Sequence, residues 1–464
     1  MRRGLLAAAV IATLACVAGR ASAAVPEPPR DLYAEAVRPD QVTLSWQPGS
    51  VPAPDETLNE RYQVFRDGSL IGETSDLRVT DSWLFEQRSY TYVVRAIDAG
   101  GVSADSAPAT VSTPPFQAGL ELAPYLQQLS PTTVVVVWQT YAPATTSLYF
   151  GRADGTQPNV ARESQPRRDH VVSVSGLSPG TIYRYRWESD GRIGPSSELR
   201  TPPDRTSHFS FGVIGDFGIP TAASRANLSR LTQDKIDFAI TTGDNAQLHA
   251  EEREYRNYVI EPLRGLIASR PFWPSIGNHD YENLHNYLRY FALPPPERYY
   301  SFSYGGVRFF ALDSNRYDRA QKSWLRAELR RSHAPCKVAY FHHPFWSSGR
   351  GYRNGVRKSR RERIAAILER GGVDLVLNGH VQNYERSKPL RGGRVSRRGG
   401  IVYVVSGGGG APLTPFVTRR RPRWSARRGS FYHRLRMTAT KRRLIGKAID
   451  TRGNIRDRFT VHCH

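Results

Sequence analysis

Cysteine is scarce in this chain: Cys16, Cys336 and Cys463 are the only three among 464 residues. A disulfide scaffold cannot be built from so few, so a hydrophobic core must carry the stability. Long apolar runs are scarce too. The one that stands out, Leu5 to Ala18, follows Arg2 and Arg3 and precedes Ala21, Ser22 and Ala23. It is too short to span a bilayer. A charged start, a short apolar stretch and a small-residue site read as an export signal cut after Ala23. The expectation is therefore a secreted or periplasmic protein with residues 1–23 removed and no transmembrane segment. Cys336 and Cys463 survive the cut, and sequence alone leaves open whether they pair.

Acidic residues are outnumbered as well. The chain has 42 Asp and Glu against 65 Lys and Arg, a formal net charge of +23. Such a field attracts phosphate-bearing partners of any kind. The basic residues concentrate late, at Arg350 to Arg363, Arg391 to Arg398 and 419–428. No recognised module or aromatic stacking platform accompanies them, which argues against nucleic acid as the partner. A solvated arginine-rich surface and the steering of anionic substrates are the two readings left.

Residues 26–203 lack any long helical pattern. They carry short β-branched or alternating runs bounded by Pro, Gly, Asp and Ser, the pattern of β-sandwiches. The stretch also repeats itself. VTLSW ends at Trp46 and VVVVW at Trp138; Leu84 and Tyr90 stand six apart, as do Leu177 and Tyr183. A buried strand tryptophan and a tyrosine corner are what fix two sheets face to face. Both segments resemble fibronectin type III domains. The second is similar to the β-sandwich that precedes the catalytic domain in purple acid phosphatases. The implied division is 1–23 signal, 24–115 first sandwich, 116–203 second sandwich and 204–464 catalytic domain. The first sandwich is read as a spacer or an adaptor for cell-wall or polysaccharide contact.

From 208 onward strands alternate with helical segments such as 319–332 and 359–370, an α/β layered pattern. Five apolar strands end in polar, ligand-type residues: Asp216, Asp244, Asn278 with His279, His342 with His343, and His380. The C-terminal ends of such strands converge on one edge of a sheet, where ligands sit. One GD or GH dipeptide carries no information; five in order do. The series GDFG, GDN, GNHD, HHP and GHVQNYER resembles the calcineurin-like metallophosphoesterase family, and its purple acid phosphatase branch in particular. The implied fold is two all-β fibronectin type III-like sandwiches followed by an α/β (αββα) metallophosphoesterase domain.

The resemblance implies two adjacent cation positions. The second takes Asp244, Asn278, His342 and His380, a set suited to zinc, iron or manganese. The first should take Asp216, Asp244, a tyrosinate and a second loop histidine. Here Gln247 stands at the tyrosine position and Gln382 at the histidine position. Both substitutions strike the same cation. The first position is then expected to be weak, to hold magnesium, calcium or iron, or to be empty, and the purple colour to be lost. His279 is implied to contact the phosphoryl group or protonate the leaving oxygen. His343 is read as lining the pocket and Asp280 as orienting His279. His249 is read as a surface histidine rather than a substitute ligand, and Tyr384, Glu385 and Arg386 as structural, with a phosphate contact by Arg386 as the alternative. The expected activity is hydrolysis of phosphate monoesters, on small molecules or polymers, by a metal-activated water. A phosphodiesterase of the same fold and a weakened anion-binding surface protein are the alternatives.

Overall fold

The computed structural model describes residues 24–463 apart from 39–40, 51–60, 83, 85–87, 115–119, 154–158, 191, 194–195, 205–207, 351–357 and 397–398. The signal segment expected at 1–23 lies outside the described residues. The chain divides into two compact units, Met1–Gln117 and Ala118–His464.

The first unit is all-β. Strands Arg30–Arg38, Gln41–Gln47 and Arg78–Ser82 form one sheet, and Ser69–Thr74, Arg61–Arg66 and Ser89–Asp98 the backbone of another. Alternation along Arg61–Arg66 and Ser89–Asp98 sends Tyr62, Val64, Tyr92 and Val94 inward, against Val42, Leu44 and Trp46 from the facing sheet. Asp81 is drawn into this core because Arg66 donates to both its oxygens at 3.0 and 3.1 Å and the Tyr92 hydroxyl donates at 2.8 Å. This is a fibronectin type III-like sandwich.

In the second unit, strands Leu120–Gln127, Thr133–Arg152, Asn159–Ser175 and Ile182–Ser189 build the second β-structure. Its core holds Trp138, stacked on the buried His170 with centroids 5.0 Å apart. The tyrosine corner forms as expected: the Ser178 amide donates to the Tyr183 hydroxyl at 2.8 Å. The separation expected at 203 is weaker than the sequence implied. Leu122, Tyr125, Val135 and Val137 belong to the same core as the α/β layers. Tyr125 donates to the Tyr290 carbonyl at 2.6 Å, Gln127 to Phe272 at 3.1 Å, and Arg256 pairs with Glu121. This sandwich and the α/β layers lie in one compact unit.

Two sheets make the centre of that unit. One runs Phe272–Pro274, Phe238–Thr241, Phe209–Ile214, then His433–Thr440, Arg443–Asp450 and Ile455–His462. Its first three strands are parallel. The other runs Tyr300–Tyr304, Val307–Ala311, Cys336–Tyr340, Leu375–Asn378, Val402–Ser406, Tyr384–Ser387 and Ser425–Gly429. The sheets meet through aromatic rings. Phe211 stacks on Phe238 at 5.2 Å and meets Phe309 edge-on at 5.3 Å, while Trp273 stacks on Phe302 at 4.1 Å. Helix Ala222–Gln233 covers the first sheet through Leu228 and Leu231. Helices Arg319–Arg331 and Lys358–Arg370 cover the second through Leu325, Leu329, Ile364 and Leu368. The layering is α/β/β/α. Cys336 and Cys463 are disulfide-bonded across a sequence separation of 127, tying a strand of the second sheet to the end of the last strand of the first. No described helix is long and apolar enough to cross a membrane.

Candidate metal centre

Phe209–Ile214, Phe238–Thr241, Cys336–Tyr340 and Leu375–Asn378 each deliver, one to three residues past their ends, a residue of one cluster. Asp216, Asp244 and His342 offer ligand atoms within 4.8 Å of one another, and all three are buried. Asp216, Asp244 and His380 sit in the left-handed backbone region, at φ 56°, 50° and 66°. Three strained non-glycine residues in one cluster mark a site whose surroundings hold it against its own backbone preference.

The glycines before Asn278 and His380 have a steric reason. A Cβ on Gly277 would lie 2.1 Å from both the amide nitrogen and Oδ1 of Asp244, and one on Gly379 would lie 2.5 Å from Asp216 Oδ2. The motif glycines let one ligand loop pass against the next carboxylate.

The densest contacts are among the residues expected at the second position. His342 Nε2 lies 3.0 Å from Asn278 Oδ1, 3.1 Å from Asp244 Oδ2 and 3.2 Å from His380 Nδ1. His380 Nδ1 is itself 3.0 Å from Asn278 Oδ1. The Thr242 carbonyl accepts from His342 Nδ1 at 2.9 Å, so Nε2 presents its lone pair to the cluster. Ligand atoms about 2.0–2.1 Å from one cation stand roughly 3.3 Å apart in a tetrahedron. The observed separations are close to that. Four ligand-type atoms converge on one point, where a single cation would satisfy them all. Burial opposes the His342 imidazolium, but the Asp244 carboxylate outweighs it and pushes the ring up to about 9. Cation binding at such a cluster releases that proton. The donor set therefore fits a metal ion.

The first position is built differently. Burial pushes the Asp216 carboxyl well above its ordinary value. Its oxygens are engaged by donors: the His380 amide at 2.9 Å and Gln382 Nε2 at 3.4 Å. The Gln382 carbonyl oxygen accepts from the Thr414 hydroxyl at 2.6 Å. Gln382, expected among the ligands, thus presents an amide N–H₂, which cannot coordinate, because Thr414 holds its only ligating atom. Gln247 Oε1 is buried and has no hydrogen-bond partner among the described residues, so it remains an oxygen that a cation would satisfy.

His279 stands at the rim, about a third exposed, its amide donating to Asp244 Oδ1 at 3.0 Å and its Nδ1 3.0 Å from Glu282. Asp280 does not touch the His279 ring. It is fully buried, and accepts from the amides of Gly277, Asn245 and Ala246 and from the Tyr255 hydroxyl, at 2.8–3.1 Å. The role expected for Asp280 is corrected accordingly: it ties the GDN and GNHD loops together, and Glu282 orients His279. His343 sits beside His380, with ring centroids 4.5 Å apart. Ser314 Oγ accepts from the His343 amide at 3.0 Å and lies 2.9 Å from Nδ1. Ser314 thereby holds the ring from its Nδ1 side. Burial and the neighbouring His342 lower His343 to about 2, so this ring is neutral.

His249 lies outside the cluster, 73% exposed and 3.8 Å from Glu282. Arg386 is committed to structure: it and Tyr384 both donate to Asp457 Oδ2 at 2.7 Å, while Glu385 accepts from Ser348. Ser314 and Thr414 carry no motif, and only the fold brings them in. Glu282, three residues after His279 on the same helical turn, had a legible signal in its spacing.

Residues 209–384 match the Calcineurin-like phosphoesterase family model. Among curated proteins, the chain is 28% identical over 308 residues to purple acid phosphatase 18 of Arabidopsis thaliana, covering 61% of this chain and 68% of that one. It is 28% identical over 364 residues to acid phosphatase type 7 of Mus musculus, covering 66% and 82%. For Arabidopsis purple acid phosphatase 22 the chain spans 58% of the relative's length. Among solved structures, the purple acid phosphatase PPD1 of yellow lupin superposes with a TM-score of 0.72 at 18% identity, over 93% of this chain and 96% of that one. PhoD superposes at 0.59 and 15% identity, over 76% and 92%. Residues 209–384 thus carry a calcineurin-like phosphoesterase domain, and the chain is similar in sequence and fold to purple acid phosphatases.

Proposed function

We propose that this protein is an exported metal-dependent phosphoesterase acting on phosphate monoesters. The observation that carries the reading is the clustering of Asp244, Asn278, His342 and His380, whose ligand-type atoms meet His342 Nε2 or His380 Nδ1 at 3.0–3.2 Å. Those four residues would hold a divalent cation, zinc, iron(II) or manganese, which supplies Lewis-acid polarisation of a phosphoryl oxygen and a lowered pKa for water. The protein's own groups do the rest. His343, held from its Nδ1 side by Ser314, would bond a phosphoryl oxygen through an Nε2–H as charge develops there. His279, oriented by Glu282 at the rim, is placed to give a proton to the leaving alkoxide. Export belongs to the same reading and rests on the 1–23 segment; N-terminal sequencing of protein recovered from the medium should begin at Ala24.

The test pairs metal analysis of the purified chain with p-nitrophenyl phosphate and bis(p-nitrophenyl) phosphate under added zinc, manganese or magnesium. Bound metal with faster turnover of the monoester is the expected result. Preference for the bis-ester would make it a phosphodiesterase. Neither metal nor turnover with any ion would sink the enzyme reading.

A further inference from the structure

The two helices over the second sheet leave a groove between them. It opens as two adjoining depressions of about 760 and about 420 Å³ that share Arg326 and Arg370 in their walls. Arg319, Lys322, Arg326 and Arg330 come from one helix, and Arg363 and Arg370 from the other. The single carboxylate in either wall is Glu362. Five of these six cations are exposed, and Lys322 is half-buried.

Their arrangement costs stability that no ion pair among the described residues returns. Spacings of three, four and four residues place the four cations of the Arg319–Arg331 helix within about 80° of arc and roughly 16 Å of axis. Like charges at these spacings repel by about 0.2–0.5 kcal/mol per pair. Arg319 and Lys322 also lie towards the N-terminal end of that helix, whose first turn carries no acidic residue, although the dipole disfavours cations there. On the other flank of the same helix, Glu328 does have partners, Arg308 at 2.7 Å and Arg331 at 3.3 Å. Among the described residues, none of the six groove cations forms an ion pair.

A single phosphate would occupy one or two of these side chains and leave the rest repelling. The row suits a chain that repeats a negative charge along its length. No aromatic side chain lines the groove, so nucleobases would find nothing to stack on. Arginine forks match phosphate oxygens. Along the sequence, Arg319 opens the helix that follows the loop in which Ser314 bonds His343 and Asn315 donates to the Gly277 carbonyl at 3.1 Å. We propose that this groove binds a linear, base-free phosphate polymer. The choice of phosphate among anions rests on the phosphoesterase reading; the binding itself does not.

The probe is fluorescently labelled inorganic polyphosphate of about 20 units, titrated into metal-free full-length protein and followed by anisotropy, so that no turnover is needed. One variant carries Arg319→Ser, Arg326→Ser and Arg370→Ser; a second carries Lys322→Ser, Arg330→Ser and Arg363→Ser. The control removes equal charge elsewhere, as Arg442→Ser, Arg443→Ser and Arg458→Ser, all exposed. Each groove variant should weaken binding at least tenfold. It should also flatten the slope of log Kd against log salt by roughly one unit for every phosphate no longer neutralised, while the control weakens less than threefold. Equal losses in groove and control variants would reduce the effect to net charge and overturn the proposal. So would single-stranded DNA or a sulfated polysaccharide binding as tightly as polyphosphate, or no binding at all. The groove variants should hydrolyse p-nitrophenyl phosphate at the unaltered rate. Polymer binding by a chain inert towards every phosphoester would retain the groove and refute the phosphoesterase reading alone.

Discussion

Gln382 turns its amide nitrogen towards Asp216, 3.4 Å from Oδ1, because the Thr414 hydroxyl holds its carbonyl oxygen at 2.6 Å. A donor thus stands where the relatives' pattern calls for a ligand, and the loss of an imidazole becomes a change of sign: the residue offers partial positive charge to Asp216 instead of a lone pair to a cation.

Gln382→His should therefore restore a ligand and raise bound metal towards two per chain, measured by elemental analysis after dialysis against manganese or zinc. Thr414→Ala, which frees the Gln382 carbonyl oxygen, should raise first-position affinity by a smaller factor. Unchanged stoichiometry in Gln382→His would show that Gln247, rather than Gln382, limits that position.

The pairing of His279 with Glu282 makes a prediction that depends on the leaving group. His279→Ala should lower kcat by about 10²–10⁴ on an alkyl phosphate. The loss should be far smaller on p-nitrophenyl phosphate, because nitrophenolate departs without a proton. Glu282→Gln should cost about tenfold on the alkyl ester and leave metal content untouched. Equal losses on both substrates would remove His279 from the role of acid.

The Cys336–Cys463 bridge closes a loop of 127 residues. Chain-entropy arguments give such a cross-link about 4–5 kcal/mol. Cys336→Ala with Cys463→Ala, or reduction of the native protein, should lower the melting temperature by several degrees without altering metal content. An unchanged melting temperature would show that packing of the last strand alone secures the two sheets.

His433 is fully buried, bonded to the Phe431 carbonyl at 2.9 Å and to Ser406 at 3.1 Å, and burial lowers it to about 4. The folded value lies below the ordinary 6.5, so the unfolded chain takes up the proton first. Its contribution is complete above about pH 6.5 and is lost as pH falls towards 4, up to roughly 3 kcal/mol. Urea midpoints at pH 7.5, 5.5 and 4.5 should fall more steeply in the wild type than in His433→Gln. Parallel slopes would assign the acid sensitivity to other histidines.

Much of the fold and of the site was legible because both follow from local rules. Alternating runs that place Trp46 and Trp138 inward dictate sandwiches, and an apolar strand followed by glycine and a polar residue dictates a ligand at a sheet edge. Asp244, Asn278, His342 and His380 could be found this way because each stands at the end of its own strand or begins the turn beyond it.

The features that stayed hidden in the sequence depend on approach between distant segments. Asp280 reads like a partner of its neighbour His279, yet five donors from the Asn245 and Gly277 loops and Tyr255 surround it. Thr414 and Ser314 sit in unmarked loops, and only their arrival at Gln382 and His343 gives them a role. The fusion of the second sandwich to the α/β layers came from Tyr125 and Gln127 reaching carbonyls 165 and 145 residues away. The arginine runs drew attention to 350–363, 391–398 and 419–428, of which only Arg363 lines the groove; its other cations come from two neighbouring helices whose charges look ordinary when read singly. Residue types, and the strand ends that carry them, were set by the order of amino acids alone. Tertiary packing settled which lone pairs converge on one point, which are already taken, and which charged side chains have no ion pair among the described residues, because hydrogen bonds and ion pairs form between surfaces that only the fold brings together.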